Sequence, residues 1–483
     1  MQSIEINQPV FRSVCFSALT EAQCQKLHWA SLEILERTGV RFHSQAAIDL
    51  ARKGGADLSD GNLLRFPAGM VEKAFATAPR RIMLCDRHGR RVMSVEGHRC
   101  FYGPGSDTLN IIDHRTGQRR KPILQDVREG VTLCDALPNV DFVMSMVLPT
   151  DVDTTICDRY QMEAMLTYST KPIVFVTYDT AGCMDAVEMA EAVAGGADAL
   201  RRNPHVACYI NVTTGLQHNA EALDKLLFMA GKGLPTTYIP VVLGGITGPV
   251  TPAGEIALVN AGALVGLVLS QLQREGAPYI MPGWSGSIID LRTLVGHYCD
   301  PLESVYTHAL GHYYGLPMFS MAGVSDSKLV DQQAAAEAGM SLLTNTLGGG
   351  NIIHDLGYLE SGLTFSFAQL AICDELISWI RHYVAGLEID DETLALDVIH
   401  AVGPDGQFLD HPHTMRHYKE RFYPTLLDRN PFEVWEERGS KTLAQRAAEK
   451  VDKLLAGHCV EPLPADVAGR LRAIVERAAS RAR

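Results

Sequence analysis

The 483-residue chain is poor in the signatures that usually disclose a function. No G-x-G-x-x-G follows an early apolar run: Gly103-Pro104-Gly105 lacks the third glycine, so a dinucleotide fold is not indicated. There is no G-x-S-x-G elbow, no phosphate loop and no carboxylate pair at hydrolase spacing. Eleven cysteines, scattered from Cys15 to Cys459, include no C-x-x-C pair. An odd, dispersed set speaks against a disulfide framework and for reduced thiols packed as small hydrophobes in the cytoplasm. Cations are outnumbered, 43 Lys and Arg against 56 Asp and Glu. The net charge of −13 repels phosphate backbones and argues against a nucleic-acid partner. The longest apolar run, 256–270, is too short to span a bilayer and carries Asn260. With no basic-then-apolar leader pattern, a soluble protein without a membrane partner is expected. The nearest metal signature is His297-Tyr298-Cys299 followed by His308 and His312. It lacks the Glu of H-E-x-x-H, so no bound metal of its own is expected.

What is present is a folded chain's apolar content, 46% hydrophobic, arranged in a regular alternation. Residues 1–98 read as a helical extension. Its first helix is opened by a Thr20/Gln23 capping box and stops at Gly39; others are predicted at 45–52 and 67–76, the last started by Pro67. From residue 99 to 386, short apolar runs alternate with helical stretches. The runs are 100–103, 141–148, 172–177, 206–212, 236–243, 278–282, 317–322 and 351–354. The helices fall at 125–137, 157–168, 186–194, 219–231, 254–271, 302–314, 332–346 and 365–383. Apolar strands linked by crossover helices imply parallel pairing with both faces covered. Eight such units predict an α/β fold, a (β/α)₈ TIM barrel, in preference to an open doubly wound sheet. The tail, 387–483, reads as a second helical extension that wraps the barrel or a neighbouring subunit of a homo-oligomer.

In a barrel, chemistry sits where strands end. Those ends hold Tyr102 through Asp107, then Tyr178, Asn211, Gly283-Trp284-Ser285-Gly286, Val324 and His354. Glycine, aromatics and neutral hydrogen-bonding groups dominate. Glycines let backbone approach a bulky ligand. Tyr102, Tyr178, Trp284, Tyr358 and Phe365 could line an aromatic cage for a quaternary ammonium, or simply cap the barrel core. Asp107 could be a counter-charge or a solvated turn residue.

At these residues the sequence resembles the trimethylamine methyltransferase family, in particular its branch without pyrrolysine that includes glycine betaine:corrinoid methyltransferases. The resemblance begins at Leu19-Thr20-Glu21 and passes through Tyr102-Gly103-Pro104-Gly105, Gly276-Ala277-Pro278-Tyr279 and Tyr314-Gly315-Leu316-Pro317. Its most specific part runs from Ala322-Gly323-Val324-Ser325-Asp326-Ser327-Lys328 to Asp331-Gln332-Gln333, followed by Gly349-Gly350-Asn351-Ile352-Ile353-His354 and Gly357-Tyr358-Leu359-Glu360-Ser361-Gly362. Asp391-Glu392-Thr393 and Leu427-Asp428-Arg429 carry it into the tail. The resemblance implies the same barrel, and an enzyme that moves a methyl group from an amine to the cobalt of a separate corrinoid protein. Val324 stands where the trimethylamine enzymes have pyrrolysine, before the Ser-Asp-x-Lys stretch. That departure points away from trimethylamine and toward a small quaternary amine such as glycine betaine.

Demethylating a quaternary ammonium releases a neutral tertiary amine, so no proton need be supplied, and Co(I) is itself the nucleophile. The work left is orientation and exclusion of water. A cognate corrinoid protein would have to bring the cobalamin, because the Asp-x-His-x-x-Gly pattern of family carriers is absent from this chain. The expected site places Val324 and His354 at the reacting centre. Tyr102, Trp284, Tyr358 and Phe365 surround the cationic head, with Asp107 as counter-charge. His354 and Asn351 bind the carboxylate, with Asn211 and Arg292 behind them; the alternative for Arg292 is a surface pair with Asp290. A betaine-binding barrel without catalysis, and a metal-dependent lyase or hydrolase on His297, Cys299 and His308, are the competing readings.

Overall fold

Seven parallel strands form a barrel wall in the computed structural model, which describes residues 16–290, 292–298 and 301–482. They are β1 (Phe101–Pro104), β2 (Ile173–Phe175), β3 (Val206–Val212), β4 (Thr236–Pro240), β5 (Tyr279–Pro282), β6 (Met318–Met321) and β7 (Ile352–Leu356). Their order around the wall is β1-β7-β6-β5-β4-β3-β2. The eighth stave is the extended segment 141–148, which closes the ring between β1 and β2. The Asp141 amide donates to the Tyr102 carbonyl (2.6 Å) and the Met146 amide to that of Gly105 (2.9 Å). On the other side Val143 N–H donates to Pro172 (2.9 Å). Sequence predicts a regular strand here, but Met146 sits at φ 62°, and left-handed backbone interrupts a ladder. Each stave is followed by its helix, from Leu124–Ala136 to Phe367–Val384, which makes the (β/α)₈ barrel that the alternation predicts.

One inward residue from nearly every stave meets a hairpin that plugs the N-terminal end. Ile82 and Leu84 on Ile82–Cys85, with Met93 and Val95 on Arg91–Val95, form one apolar cluster with Phe142, Val174, Ala207, Ile239, Ile280, Phe319 and Ile352. Burying each such side chain contributes roughly 1.5–3 kcal/mol. The plug closes the N-terminal end of the barrel.

The first eighty residues are not purely helical. Helices Glu21–Glu33, Gln45–Gly54 and Ala68–Thr77 are joined by the short strands Val40–Phe42, Asp57–Asp60 and Leu63–Arg65. These pair into a sheet that Gln217–His218, just beyond β3, completes. Three-residue strands carry too little alternation to stand out in sequence. The Thr20 capping box is present, while Pro67 is the cap of its helix rather than its first residue. The helix Pro252–Gln273 lies between the barrel and this extension, which explains why it is apolar on every face; 89% of its most apolar stretch is buried. Asn260 in its middle donates to Ser31 Oγ and Tyr314 Oη, both at 2.9 Å, and so clasps the extension to the barrel. At the other terminus, helix Leu443–Gly457 packs on Phe367–Val384. Helix Ala465–Ala482 crosses Cys157–Tyr168 and Thr180–Ala194, where Arg477 pairs with Asp185 and Glu188.

Candidate active site

Two small sheets built from loop insertions rise beside the open mouth. One joins Asn110–Ile112 and Arg119–Arg120 to Tyr358–Leu359 and Thr364–Ser366; the other joins Leu243–Gly244, Ser287–Asp290 and Val295–Gly296. Between them the end of β7 carries a buried polar cluster. Regular alternation would turn His354 inward and Asp355 outward. The β7 ladder against β1 instead shifts register between Ile353 and Leu356, a bulge with Asp355 at φ 77°. Bulges re-aim side chains next to active sites. Here His354 and Asp355 end up side by side, Nε2 to Oδ1 3.3 Å, and both are buried.

Asp355 is the hub. The Tyr298 hydroxyl donates to its Oδ2 at 3.0 Å, while the Tyr358 hydroxyl lies close to its Oδ1 and donates to the Ser106 carbonyl. Burial raises the Asp355 carboxyl above the ordinary carboxylate range, with His354 and the two phenols opposing. His354 Nδ1 lies 2.7 Å from the Ser320 carbonyl, which can only accept, so that nitrogen carries the proton and Nε2 faces Asp355. Beneath the imidazole, the Phe319 ring lies tilted by 31° at 4.1 Å and Tyr209 meets it edge-on at 5.7 Å. Tyr298 and Tyr358 stack at 6.4 Å. Gly105 is obligatory: a Cβ there would lie 2.0 Å from Asp355 Oδ1 and 2.3 Å from Tyr358 Oη.

Asp107 provides a second carboxylate. Ser145 Oγ (3.0 Å) and Gln161 Nε2 (2.9 Å) donate to its Oδ1, and burial raises its carboxyl too. Its φ of 62° is another left-handed non-glycine position. Such strained positions cluster at active sites. On β3, Asn211 is exposed at the mouth and bonded to Tyr209. Trp284 is half-buried where the inner and outer cores meet.

Several expected residues lie elsewhere. Tyr102 faces outward from β1: its hydroxyl bonds Thr346 Oγ1 at 2.8 Å, and the Arg381 guanidinium sits 5.1 Å over its ring. Asn351 is at the opposite, N-terminal end of β7. Its amide is spent on the Met318 N–H and on the Gly97 and Arg99 carbonyls. Arg292 is exposed and paired to Asp290 at 2.7 Å, the surface reading foreseen as its alternative. Phe365 is core, edge-on behind Tyr358 at 6.2 Å. Tyr178 is half exposed, its hydroxyl on Cys157 Sγ. Val324 is buried in the apolar core beyond β6, beside Ser325, whose amide donates to the Tyr358 carbonyl.

The histidines of the metal alternative do not converge. His308 bonds Ser320 Oγ, His312 bonds the Gly348 carbonyl, and His297 approaches Asp290; Cys299 lies outside the described residues.

Sequence reading missed Asp355, Tyr298, Tyr209, Phe319 and Gln161. Only Tyr209 left a signal: two residues before Asn211 on a strand, it shares that residue's face. It also missed Glu255, fully buried in the first turn of Pro252–Gln273, beneath Gly244 and Gly286. Burial pushes its carboxyl up to about 7, the Gly244 amide offsetting only part.

The family described as trimethylamine methyltransferase (MTTB) matches residues 2–482. The chain is 32% identical to trimethylamine methyltransferase MttB of Desulfitobacterium hafniense strain DSM 10664 / DCB-2, covering 95% of this chain and 93% of that one. It is 30% identical to the glycine betaine methyltransferase of Desulfitobacterium hafniense strain Y51, over 95% and 96%. Among solved structures, the hydroxylamine complex of MtmB aligns over 92% of this chain and 90% of its own, with a TM-score of 0.51 at 13% identity. That likeness concerns the fold alone.

Proposed function

Because the chain belongs to the trimethylamine methyltransferase family, we propose that it moves a methyl group from a quaternary amine, glycine betaine or a related betaine, to the Co(I) of a corrinoid held by a separate protein. The observation that carries this reading is the mouth itself: Tyr209, Phe319, Tyr298 and Tyr358 beside two buried-side carboxylates, Asp107 and Asp355. Aromatic faces and carboxylates together suit a cation that cannot donate hydrogen bonds. Each ring contact is worth about 0.5–2 kcal/mol.

A corrinoid docked at the mouth would supply the nucleophile for the N-methyl carbon. The rest falls to this chain. The methyl–nitrogen bond breaks with both electrons returning to nitrogen, and the tertiary amine leaves neutral, so no acid is required at that atom. Asp355 and Asp107 stabilise the cationic head; a bound cation favours their ionised forms, against the burial that raises them. His354 and Asn211 are left as donors for the substrate carboxylate, since Asn351 and Arg292 are engaged elsewhere. His354 Nε2 is the ring nitrogen left for it, since Nδ1 is held by the Ser320 carbonyl. Exposed Ile246, Val250, Leu294 and Val295, on the loops that follow the fourth and fifth strands, offer an apolar landing for a carrier.

The test is a panel of glycine betaine, proline betaine, carnitine, γ-butyrobetaine and dimethylsulfoniopropionate with a competent Co(I) corrinoid carrier. Methyl transfer is followed by the corrinoid absorbance change. Turnover with at least one betaine, and none with trimethylamine, is the expected outcome. No turnover across the panel overturns the proposal.

A further inference from the structure

Past the last barrel helix lies a stretch, 385–425, in which not one residue is buried. Its return is tied down at Phe367–Val384, where the Glu375 carboxylate accepts the Thr425, Leu426 and Leu427 amides. Before that anchor come three short α-helices, Asp391–Leu394, Leu396–Val402 and Pro412–His417. Helices of one or two turns are unstable in water on their own. A unit too small for a core ordinarily depends on a disulfide or a metal. No cysteine lies between 385 and 425, which removes the first.

What joins the two ends of the stretch is a node of Glu392, His413 and His417. The histidines stand one turn apart on Pro412–His417, with ring centroids separated by 4.3 Å. One ring nitrogen from each and one Glu392 carboxylate oxygen all lie within 4.8 Å of one another; among the described residues no other trio of His, Cys, Asp or Glu comes as close. The surrounding partners are also those of a metal site. Glu420 Oε1, which can only accept, lies 2.6 Å from His417 Nδ1, so that nitrogen carries the proton. The Nε2 lone pair is thereby left facing Glu392 Oε1 at 3.1 Å. A carboxylate behind the ring orients metal-ligating histidines in the same way. Arg416 donates to Glu392 Oε1 at 2.7 Å, the kind of hydrogen bond that a ligating carboxylate keeps. His413 Nε2 rests 3.1 Å from the Glu392 carbonyl, so its ring is already turned toward that residue.

We propose that Glu392, His413 and His417 bind a zinc ion, which takes the place of a core for 385–425. Two imidazoles and a carboxylate are ordinary zinc donors, with water completing the tetrahedron. Bonds of about 2.0–2.2 Å set ligand atoms about 3.4 Å apart, so rotation of side chains on this open surface closes the node. Binding exchanges any proton on His417 Nε2 for the metal and alters no covalent bond of the chain. The ion ties residue 392 to 413 and 417, and its binding energy becomes folding energy for the loop between them. The sequence conceals the site because His413-x-x-x-His417 lacks the intervening glutamate of H-E-x-x-H; the third ligand comes from residue 392 instead. The node shares no residue with the barrel mouth and needs neither amine nor corrinoid, so it stands apart from the proposed reaction.

The experiment takes the full chain, strips it with a chelator and titrates it with zinc chloride alone. Calorimetry, and elemental analysis after dialysis, should find about one zinc per chain with a dissociation constant of about 1 μM or below. Glu392→Gln and His413→Ala/His417→Ala should each weaken that binding by about a hundred-fold or more. In the wild type, saturating zinc should slow tryptic cleavage after Arg416, Lys419 and Arg421 at least about ten-fold; in the variants it should not. No betaine is present, so failure of the methyl-transfer reading leaves this result untouched. Should the double histidine variant lose its circular dichroism spectrum, Glu392→Gln and the wild-type cleavage pattern decide. No zinc retained by the wild type, zinc held equally by the variants, or cleavage indifferent to zinc would overturn the proposal.

Discussion

Gly105→Ala tests the active-site assignment with one methyl group. An alanine Cβ at this position would fall 2.0 Å from Asp355 Oδ1 and 2.3 Å from Tyr358 Oη. Ordinary carbon–oxygen contact needs about 3.4 Å, so both groups must retreat by more than an ångström. The retreat separates Tyr358 from the Ser106 carbonyl and disturbs the contact of Asp355 with His354. Overpacking of this kind costs about 1–3 kcal/mol of stability, which a folded barrel of this size survives. Its effect on the reaction should be larger in proportion, because a 1 Å displacement of a positioning group can cost roughly a hundred-fold in rate. The expected result is a kcat/KM for betaine demethylation lowered by about ten- to a hundred-fold, with a cooperative melting transition retained. Gly69→Ala, where a new Cβ meets nothing within 4 Å, is the matched control and should be neutral. A folded Gly105→Ala enzyme with wild-type kinetics would show that the Asp355 cluster is not where the substrate sits.

His354→Ala should raise KM for betaine by about ten- to a hundred-fold, from loss of a charge-assisted hydrogen bond worth roughly 1.5–3 kcal/mol. Arg292→Ala, which breaks only an exposed pair with Asp290, should leave steady-state kinetics unchanged. Tyr102→Phe should lower stability by about 0.5–1.5 kcal/mol through the lost Thr346 bond. Its KM should not move; a raised KM would return Tyr102 to the substrate cage. Glu255 should make stability fall as pH rises. Its folded carboxyl titrates near 7 against an ordinary 4.5, so between those values the native state holds a proton that the unfolded chain has lost. The slope approaches 1.4 kcal/mol per pH unit and totals about 2–3 kcal/mol by pH 8. Glu255→Gln should flatten it, and parallel denaturation profiles from pH 5 to 8 would refute the assignment.

The barrel was legible because its wall is written locally. Each stave is a short apolar run closed by glycine, proline or a polar turn, and each helix between is long enough to cross back. The extension was less legible where strands shrink to three residues: Val40–Phe42 owes its pairing to Gln217–His218, far away in sequence. No local pattern announces such a partner. The tail's helices were expected, but amphipathicity alone could not separate those that clasp the barrel, such as Ala465–Ala482, from residues 385–425, none of which is buried.

At the site, the decisive quantity is which way a side chain faces, and a one-residue change of phase reverses it. Tyr102 and Phe101 are adjacent, and sequence cannot say which of them enters the barrel; Phe101 joins the inner cluster, and Tyr102 is turned to the helices. Asn351 was read with His354 as one strand end, yet they are separated by the length of the strand interior, one anchoring its start and the other opening on the mouth. Asp355 is the sharpest case. Alternation assigns it to the outer face, where a carboxylate would have been discounted. Only the bulge after Ile353, with backbone in the left-handed region, brings it inward beside His354. That backbone is held in place by the same contacts that give the carboxylate its role: Tyr298 on one oxygen, His354 on the other, and Gly105 leaving room for both. The strain and the site therefore have a common cause. It lies in the pairing of β7 with β1, which no window of sequence around residue 355 contains.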